Sequence, residues 1–295
     1  RGLGDVYKRQ YIHCVRIIKK QKGYMHMLRD KNIDGGREFD WGKASEDYAK
    51  YRDIYPDEFY KNIVDLGYCI NGQKVLDLGT GTGVLPRNMY KYGAKFVGAD
   101  ISENQIKYAE MLSKGKDIDY IVSSAENIDF PDGTFDVVTA CQCFMYFDKK
   151  IILPKLHKLL QNDGHFLILF MAWLPYESDI AKASEDLILK YNPQWTGGGM
   201  TRYKIDNPDW LMDLFEVSNA ITYDIDVAFS RESWNGRIKA CRGIDASLSA
   251  DIIAEFEKEH MEYLLTVPEN FVIPHYVSLL DLKKIQILSL IHISE

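Results

Sequence analysis

Residues 75–83 read VLDLGTGTG, and this run constrains the fold of the chain more than any other stretch. It begins as a short apolar strand and then turns through alternating glycines toward residues suited to a helix. Glycine has no Cβ, so the backbone can turn sharply there and approach a ligand closely. In an open α/β sheet, ligands bind beyond the carboxyl ends of the strands. The run therefore predicts a buried strand, a ligand-binding loop and a helix in succession.

Short β-rich runs alternate with helix-length segments from Gly72 onward, which is typical of a parallel sheet covered by helices. Ser102 is placed to cap one of these helices, and Gln105 is placed to complete a capping box. Further helices are expected to start near Asn207-Pro208 and to run from Glu232 to about Leu265. The predicted strands span residues 74–78, 95–100, 119–123, 135–140, 164–171, 217–229 and 271–282.

The sequence predicts a single domain flanked by two terminal stretches that do not belong to the natural protein. Residues 1–24 and 286–295 resemble translated sequencing-adapter stretches, so we expect both to be non-native tails, with Met25 or Met27 as the true start. Residues 25–285 then form a single domain. Its core is expected at 73–171, and its helical cap at 174–215 and 230–266.

The composition of the chain indicates which binding partners and which cellular compartment to expect. The formal net charge of −7 gives no electrostatic reason to expect nucleic acid. Uninterrupted apolar runs are all too short to predict a membrane span. The five cysteines are odd in number and lack the spacing of a disulfide framework or a zinc site, which indicates reduced thiols in a cytoplasmic protein without a metal.

Two nucleotide-binding fingerprints fail at the glycine loop. A dinucleotide motif needs a third glycine where Val84 or Pro86 stands, and a phosphate-binding motif needs a lysine after Gly83. Asp77, at the end of the strand, would repel a pyrophosphate but suits a ligand that carries an ammonium and a sulfonium group. Asp100 ends the second strand, where an acid can accept hydrogen bonds from both hydroxyls of a ribose.

Four motifs in order resemble the class I S-adenosylmethionine-dependent methyltransferases, in particular their small-molecule branch. They read VLDLGTGTG, GADIS, SSAENIDFPDGTFDVV and LLQNDGHFLIL, and they lie within residues 73–171. A fifth stretch, from Tyr48 through Arg52 to Tyr55-Pro56, is distantly similar to the trans-aconitate methyltransferase type. The resemblance implies a doubly wound, Rossmann-like α/β fold. Its seven-stranded sheet would have the order 3-2-1-4-5-7-6, with the last strand antiparallel and with helical cap insertions.

S-adenosylmethionine is the cofactor that the resemblance implies. Asp77 and the loop glycines would hold its amino-acid part, Asp100 its ribose, and Ile101 and Ala125 its adenine. Tyr51 could close over the sulfonium, and Arg52 could pair with the methionyl carboxylate. The full set of predicted cofactor residues is Asp77, Gly79, Thr80, Gly81, Gly83, Asp100, Ile101, Ala125, Glu126, Cys141, Gln142, Tyr51 and Arg52.

The predicted function is methyl transfer by in-line displacement to an oxygen, carboxylate or nitrogen of a small molecule. The alternative is a non-catalytic sensor or partner subunit that binds S-adenosylmethionine or S-adenosylhomocysteine. His275 is the one candidate general base. Nothing in the sequence indicates the oligomeric state. Aromatic residues that follow the fourth to sixth strands are the candidate acceptor pocket: Phe144, Tyr146, Trp173, Tyr176, Trp195, Tyr203 and Trp234.

A group of basic residues follows the sixth predicted strand. We expect these side chains to be solvated helix charges in an acidic protein, with an acidic acceptor as the alternative. The group consists of Arg231, Arg237, Lys239 and Arg242.

Overall fold

The computed structural model describes residues 16–17, 28–29, 31–203 and 208–286. Within them the strands are β1 (Arg16–Ile17), β2 (Leu28–Arg29), β3 (Lys74–Leu78), β4 (Lys95–Asp100), β5 (Ile118–Val122), β6 (Phe135–Cys141), β7 (Leu160–Trp173), β8 (Phe215–Ser230) and β9 (Asn270–Lys284). The α-helices are α1 (Ser45–Tyr51), α2 (Asp57–Asp65), α3 (Val84–Met89), α4 (Glu103–Leu112), α5 (Lys149–Leu159), α6 (Asp179–Tyr191), α7 (Arg231–Lys239) and α8 (Ala250–Leu264).

Seven strands form one mixed sheet in the order β5-β4-β3-β6-β7-β9-β8. Strands β3 to β7 pair in parallel. Strand β9 lies between β7 and β8 and is antiparallel to both. Counted along the sheet's own strands, this is the predicted order 3-2-1-4-5-7-6 with an antiparallel last strand, so the predicted fold is confirmed. The short strands β1 and β2 pair only with each other.

Alternation along the strands divides the apolar core between the two faces of the sheet. In β3, Val75 belongs to one core cluster, while Leu76 and Leu78 belong to the other. Successive side chains of a strand point to opposite faces, so a strand covered on both sides is apolar along its length. This explains why β3 is apolar after Lys74 at every position except Asp77.

The cap of α4 forms only in part. The Ser102 hydroxyl accepts a hydrogen bond from the Gln105 backbone N–H at 3.3 Å, as predicted. The Gln105 side chain, however, donates to the Trp41 carbonyl at 3.0 Å instead of returning to the cap. The predicted capping box is therefore wrong in its second half, because a tertiary contact takes the side chain of Gln105.

Two helix predictions in the cap region are also wrong. Residues 208–214 contain no helix, although one was expected to start at Asn207-Pro208. The expected long helix over 232–265 is two helices, α7 and α8. The Ala246 carbonyl between them accepts a hydrogen bond from the Asp40 backbone N–H at 2.9 Å. This hydrogen bond joins the segment between the two helices to a distant part of the chain. The local sequence pattern therefore did not predict that the helix is interrupted there.

The predicted tails lie almost entirely outside the described residues, and so does part of the predicted cap, at 204–207. Among the described helices, none is both long enough and apolar enough to cross a membrane.

Candidate functional site

A cavity of about 400 Å³ opens at the carboxyl ends of β3, β4 and β6. Cavities of this size hold small ligands and cofactors. We call it the first cavity. It is lined by Trp41, Tyr48, Arg52, Gly79, Gly81, Asp100, Ile101, Gln105, Ser123, Ser124, Ala125, Glu126, Asn127, Cys141, Gln142, Cys143, Tyr146, Phe147, Asp148 and Ile151.

The glycine loop after β3 forms one wall of the first cavity. Gly79 and Gly81 have φ angles of 60° and 56°, in the left-handed region that favours glycine. The Gly81 N–H donates to Asp100 Oδ2 at 2.9 Å, which ties the loop to the end of β4. A Cβ on Gly81 would contact the Tyr48 ring at 3.4 Å. The loop is therefore held close to the ring that covers the cavity.

Asp77 supports this loop from beneath and does not line the first cavity. Its two carboxylate oxygens each accept a hydrogen bond of 2.6 Å, from the hydroxyls of Thr80 and Thr139. Burial raises the pKa of Asp77 to about 6, against the lowering effect of those hydroxyls. Thr80 and Gly83 are also outside the lining, and Gly83 packs under the Tyr120 hydroxyl.

Four predicted cofactor residues at or after the ends of β4 and β5 also line the first cavity: Asp100, Ile101, Ala125 and Glu126. Asp100 Oδ1 accepts a hydrogen bond from the Ser102 N–H at 2.8 Å, so its carboxylate is held at the cavity edge. Glu126 Oε1 accepts from the Asp148 N–H at 3.0 Å. This bond joins the two loops that border the cavity.

Two polar atoms in the wall of the first cavity are buried without a hydrogen-bond partner among the described residues. They are Gln105 Oε1 and Ser124 Oγ. Buried polar groups in native proteins are normally paired, and an unpaired one calls for an explanation such as a ligand. The wall therefore fits a ligand with polar groups, and S-adenosylmethionine, with its ribose hydroxyls and its amino-acid part, has them.

Cys141 is the last residue of β6 and lines the first cavity, while Gln142 follows it and lines both this cavity and a second one. Burial raises the pKa of the Cys141 thiol to about 12, so the thiol is protonated near neutral pH and is a poor nucleophile. Gln142 has a φ of 66°, and its side chain donates to the Met171 carbonyl. Positive φ in a residue other than glycine costs free energy and is most frequent at functional sites.

The segment that carries α1 covers the first cavity. Arg52 directly follows this helix, lines the cavity and stacks on the Tyr48 ring, with 4.7 Å from its Cζ to the ring centroid. Tyr51, which was predicted to close over a sulfonium, lies outside the lining and packs against Gly236 of α7. Tyr48, three residues earlier, occupies the covering position.

A second cavity of about 290 Å³ adjoins the first. Both cavities are lined by Trp41, Arg52, Gln142 and Tyr146. The other lining residues of the second cavity are Ile33, Met145, Phe170, Met171, Ala172, Trp173, Trp195, Thr196, Gly197, Gly198, Gly199, Met200, Thr201, Arg202, Tyr203, Arg237, Cys241 and Arg242.

The predicted acceptor residues divide between this second cavity and the core. Its lining includes four of them: Tyr146, Trp173, Trp195 and Tyr203. Phe144 and Trp234 are instead packed in the two core clusters. Tyr176 is 61% exposed and does not line the cavity.

His275, the candidate general base, is buried in β9 outside both cavity linings. Its Nδ1 lies 2.8 Å from the Ile273 carbonyl, and its ring stacks on Phe229. Burial lowers the pKa of His275 to about 3, so the imidazole is neutral near neutral pH.

Several residues that line the first cavity were not predicted from the sequence, although for some of them the sequence contained an indication. Tyr48 lies in the same stretch as Arg52, and Ser123 and Ser124 lie inside a quoted motif. Trp41 and Gln105 carried no signal, because they reach the cavity through contacts between distant segments. The residues of the first cavity that were missed are Trp41, Tyr48, Gln105, Ser123, Ser124, Asn127, Cys143, Phe147, Asp148 and Ile151.

Known methyltransferases are similar to this chain in sequence. The family model of the methyltransferase domain matches residues 76–168. The demethylmenaquinone methyltransferase of Thermotoga maritima is 34% identical over 112 residues, or 37% of this chain and 48% of that relative. The ubiquinone biosynthesis O-methyltransferase of Bradyrhizobium diazoefficiens is 28% identical over 169 residues, or 53% of this chain and 65% of that relative. These matches span about half to two thirds of the relatives' lengths.

Among solved structures, the YcgJ protein of Bacillus subtilis shares the fold, with a TM-score of 0.50 and 16% identity. The match covers 78% of this chain and 100% of that one. The chain therefore has a Rossmann-like fold. The chain contains a class I S-adenosylmethionine-dependent methyltransferase domain, as its four motifs predicted.

Proposed function

We propose that this protein transfers a methyl group from S-adenosylmethionine, held in the first cavity, to a small-molecule acceptor held in the second cavity. The observation that supports this proposal is the wall common to both cavities, which includes Arg52, Gln142 and Tyr146. Because the two cavities share these lining residues, a ligand in one lies next to a ligand in the other. Placing two reactants in this way supplies much of the rate enhancement of a displacement reaction.

The residues of the first cavity are assigned to parts of the cofactor. Asp100 would accept hydrogen bonds from the ribose hydroxyls, and Ile101 would pack on the adenine ring. The backbone of Ala125 would meet the edge of the adenine. Arg52 would pair with the methionyl carboxylate. When bound, the cofactor supplies a methyl group on a positively charged sulfur, which is a strong leaving group.

The second cavity positions the acceptor and excludes water. Its described lining contains no aspartate, glutamate or histidine. A general base is needed only when the nucleophile carries a proton that it must lose. This lining therefore favours a carboxylate or a neutral amine over an alcohol as the methylated group.

Calorimetric titration of the full chain with S-adenosylmethionine and S-adenosylhomocysteine tests the donor site. We expect Asp100→Ala to weaken binding by about tenfold or more, the loss expected for a charged hydrogen bond. Asp119→Ala is the matched control, since this exposed aspartate lies on the neighbouring strand β5. We expect it to leave the affinity unchanged. A folded wild-type protein that binds neither compound would contradict the proposal.

A transfer assay with labelled donor and a panel of small acids and amines then tests catalysis. Methyl transfer to a member of the panel is the expected result. Tight donor binding without transfer to any acceptor would favour the sensor function instead.

A further inference from the structure

Among the described residues, four arginines line the second cavity, and two of them are neutralised by carboxylates of the protein. Arg242 forms an ion pair with the buried Asp34, with Nε 2.7 Å from Oδ2, and its Nη1 donates to the Tyr146 hydroxyl at 3.0 Å. Arg202 pairs with both Glu177 and Asp224. These two guanidinium groups are therefore engaged within the protein.

Arg237 differs from both. It is only 5% exposed, and its Nε and Nη1 atoms have no hydrogen-bond partner among the described residues. Its guanidinium lies over the Trp173 ring, with 4.7 Å from Cζ to the ring centroid. Burial, and next the charge of Arg52, lower the pKa of Arg237 to about 9. The side chain nevertheless remains mostly charged near neutral pH.

Neighbouring basic residues of the same segment do form ion pairs with other described residues, which Arg237 does not. Arg231 pairs with Glu269, and Lys239 pairs with Asp47. Within the described part of the chain, no ion pair is formed by Arg237. A buried charge without a partner is strongly unfavourable. An arginine in this state, in the wall of a cavity, is explained most simply by a ligand that brings the missing negative charge.

Arg52 is the remaining cavity arginine, and the proposed function assigns it to the carboxylate of the cofactor. Arg237 is then left for the acceptor. The lining around it is largely aromatic, with Trp173, Trp195 and Tyr203. We infer that Arg237 binds the carboxylate of a small aromatic acid that is the acceptor of the proposed methyl transfer. The inference rests on the proposed function for its reaction, but the anion site itself can be tested separately.

The direct test uses acids and their uncharged counterparts as probes. The full chain, saturated with S-adenosylhomocysteine, is titrated with benzoate, cinnamate and indole-3-acetate, and with the primary amide of each. We expect at least one acid to bind at least tenfold more tightly than its amide, since charge-assisted hydrogen bonds are the strong ones. Equal affinities for every acid and its amide, or binding by none of the acids, would overturn the inference.

Variants then assign the preference to Arg237. Arg237→Gln should abolish the preference for acids, and Arg237→Lys should retain part of it. Arg231→Gln is the matched control, because this arginine starts the same helix but lies outside the second cavity. The affinity for S-adenosylhomocysteine should change by less than about twofold in all three. A preference that survives in Arg237→Gln would assign the acid to another group and overturn the inference.

Thermal unfolding of the unliganded variants gives a readout that separates binding from structure. Because the Arg237 charge is buried without a partner, we expect Arg237→Gln to melt at the wild-type temperature or above it. A melting temperature lowered by more than the loss of the Trp173 contact explains would indicate that the guanidinium has a further structural partner, and it would contradict the inference. The wild-type comparison of acids with amides stands in either case.

The same titrations without S-adenosylhomocysteine distinguish failure of the two proposals. Acid-selective binding by a protein that does not bind S-adenosylhomocysteine would keep the anion site and contradict methyl transfer. Cofactor binding without acid selectivity would keep methyl transfer and contradict the anion site.

Discussion

Glycines with positive φ occur in this chain in two different surroundings. Gly83, with a φ of 75°, precedes α3, and a Cβ placed there would lie 2.3 Å from the Tyr120 hydroxyl oxygen. Gly133 has a similar φ of 67°, but nothing lies within 4 Å of its added Cβ. The first glycine is needed for its conformation and for space, and the second for its conformation alone.

Gly83→Ala should therefore lower the free energy of unfolding more than Gly133→Ala does. The left-handed conformation costs an alanine about 1–2 kcal/mol at either position. At residue 83 the collision with Tyr120 adds to that loss, because the ring must move. Urea denaturation of both variants measures the two free energies of unfolding. Equal losses would show that the Tyr120 ring can move aside without a cost in stability.

At the scale of elements, the packing of α1 on α7 positions the cover of the first cavity. A Cβ on Gly236 would lie 2.3 Å from the Tyr51 ring, so α1 can approach α7 only because residue 236 is glycine. Arg52, which lines both cavities, directly follows α1. A substitution at Gly236 that shifts this helix would therefore move Arg52 in the wall of the first cavity, although Gly236 itself lies outside that wall.

Gly236→Ala should weaken binding of S-adenosylhomocysteine several-fold, measured by calorimetry. Replacing Tyr51 by alanine in the same protein should restore the affinity, because it removes the ring that the new methyl group meets. Tyr51→Ala alone should change the affinity little, since the ring lies outside the first cavity. A large loss of affinity for S-adenosylmethionine but not for S-adenosylhomocysteine in Tyr51→Ala alone would instead support direct contact with the sulfonium.

The loop between α7 and α8 introduces a pH dependence at the same packing contact. Asp245, 7% exposed, has its pKa raised to about 7, first by burial and then by the nearby Asp47 of α1. Lys239 offsets part of this effect, while Glu257 adds to it. The folded protein thus disfavours the ionised form of Asp245.

The contribution of Asp245 to the free energy of unfolding should consequently decrease as the pH rises from about 4, the usual pKa of an aspartate, to about 7. Asp245→Asn removes this dependence, so its advantage over wild type should grow between pH 5 and pH 8. Melting temperatures across that range measure it, with Asp119→Asn as the exposed control. A constant difference between wild type and Asp245→Asn would contradict the raised pKa.

At the scale of the whole molecule, β9 joins the parallel part of the sheet to β8. It comes last among the strands in the described part of the chain, yet it lies between β7 and β8. Leu280 pairs with Ile168 of β7 and with Ala220 of β8, and it belongs to a core cluster. The stability of the sheet therefore depends on residues 270–284, which follow all of its other strands in the described part of the chain.

Leu280→Ala should lower the free energy of unfolding by about 2–5 kcal/mol, the usual loss for a buried leucine. Val272→Ala, on the same strand, should cost at most about 1 kcal/mol, because that side chain is 52% exposed. Chemical denaturation of the two variants compares them. Similar losses would mean that β9 is not packed into the core at Leu280.

The sequence by itself determined the strands, the glycine loop and the acids at the strand ends. These are local features: a buried strand needs a run of apolar residues, and a sharp turn needs glycine. For that reason β3 and β4 were predicted with their observed bounds, and two of the predicted cofactor residues, Gly81 and Asp100, line the first cavity. The order of the sheet came from the family resemblance.

Only the tertiary structure decided which side chains find partners. Trp41 and Gln105 line the first cavity because a distant segment folds over α4. Arg231, Arg237 and Lys239 read alike along the chain, yet two of them meet carboxylates and one lies buried without a partner. The free energy of a charge depends on what surrounds it in space. Residues far apart in the chain supply those surroundings, so the sequence pattern could not separate Arg237 from its neighbours.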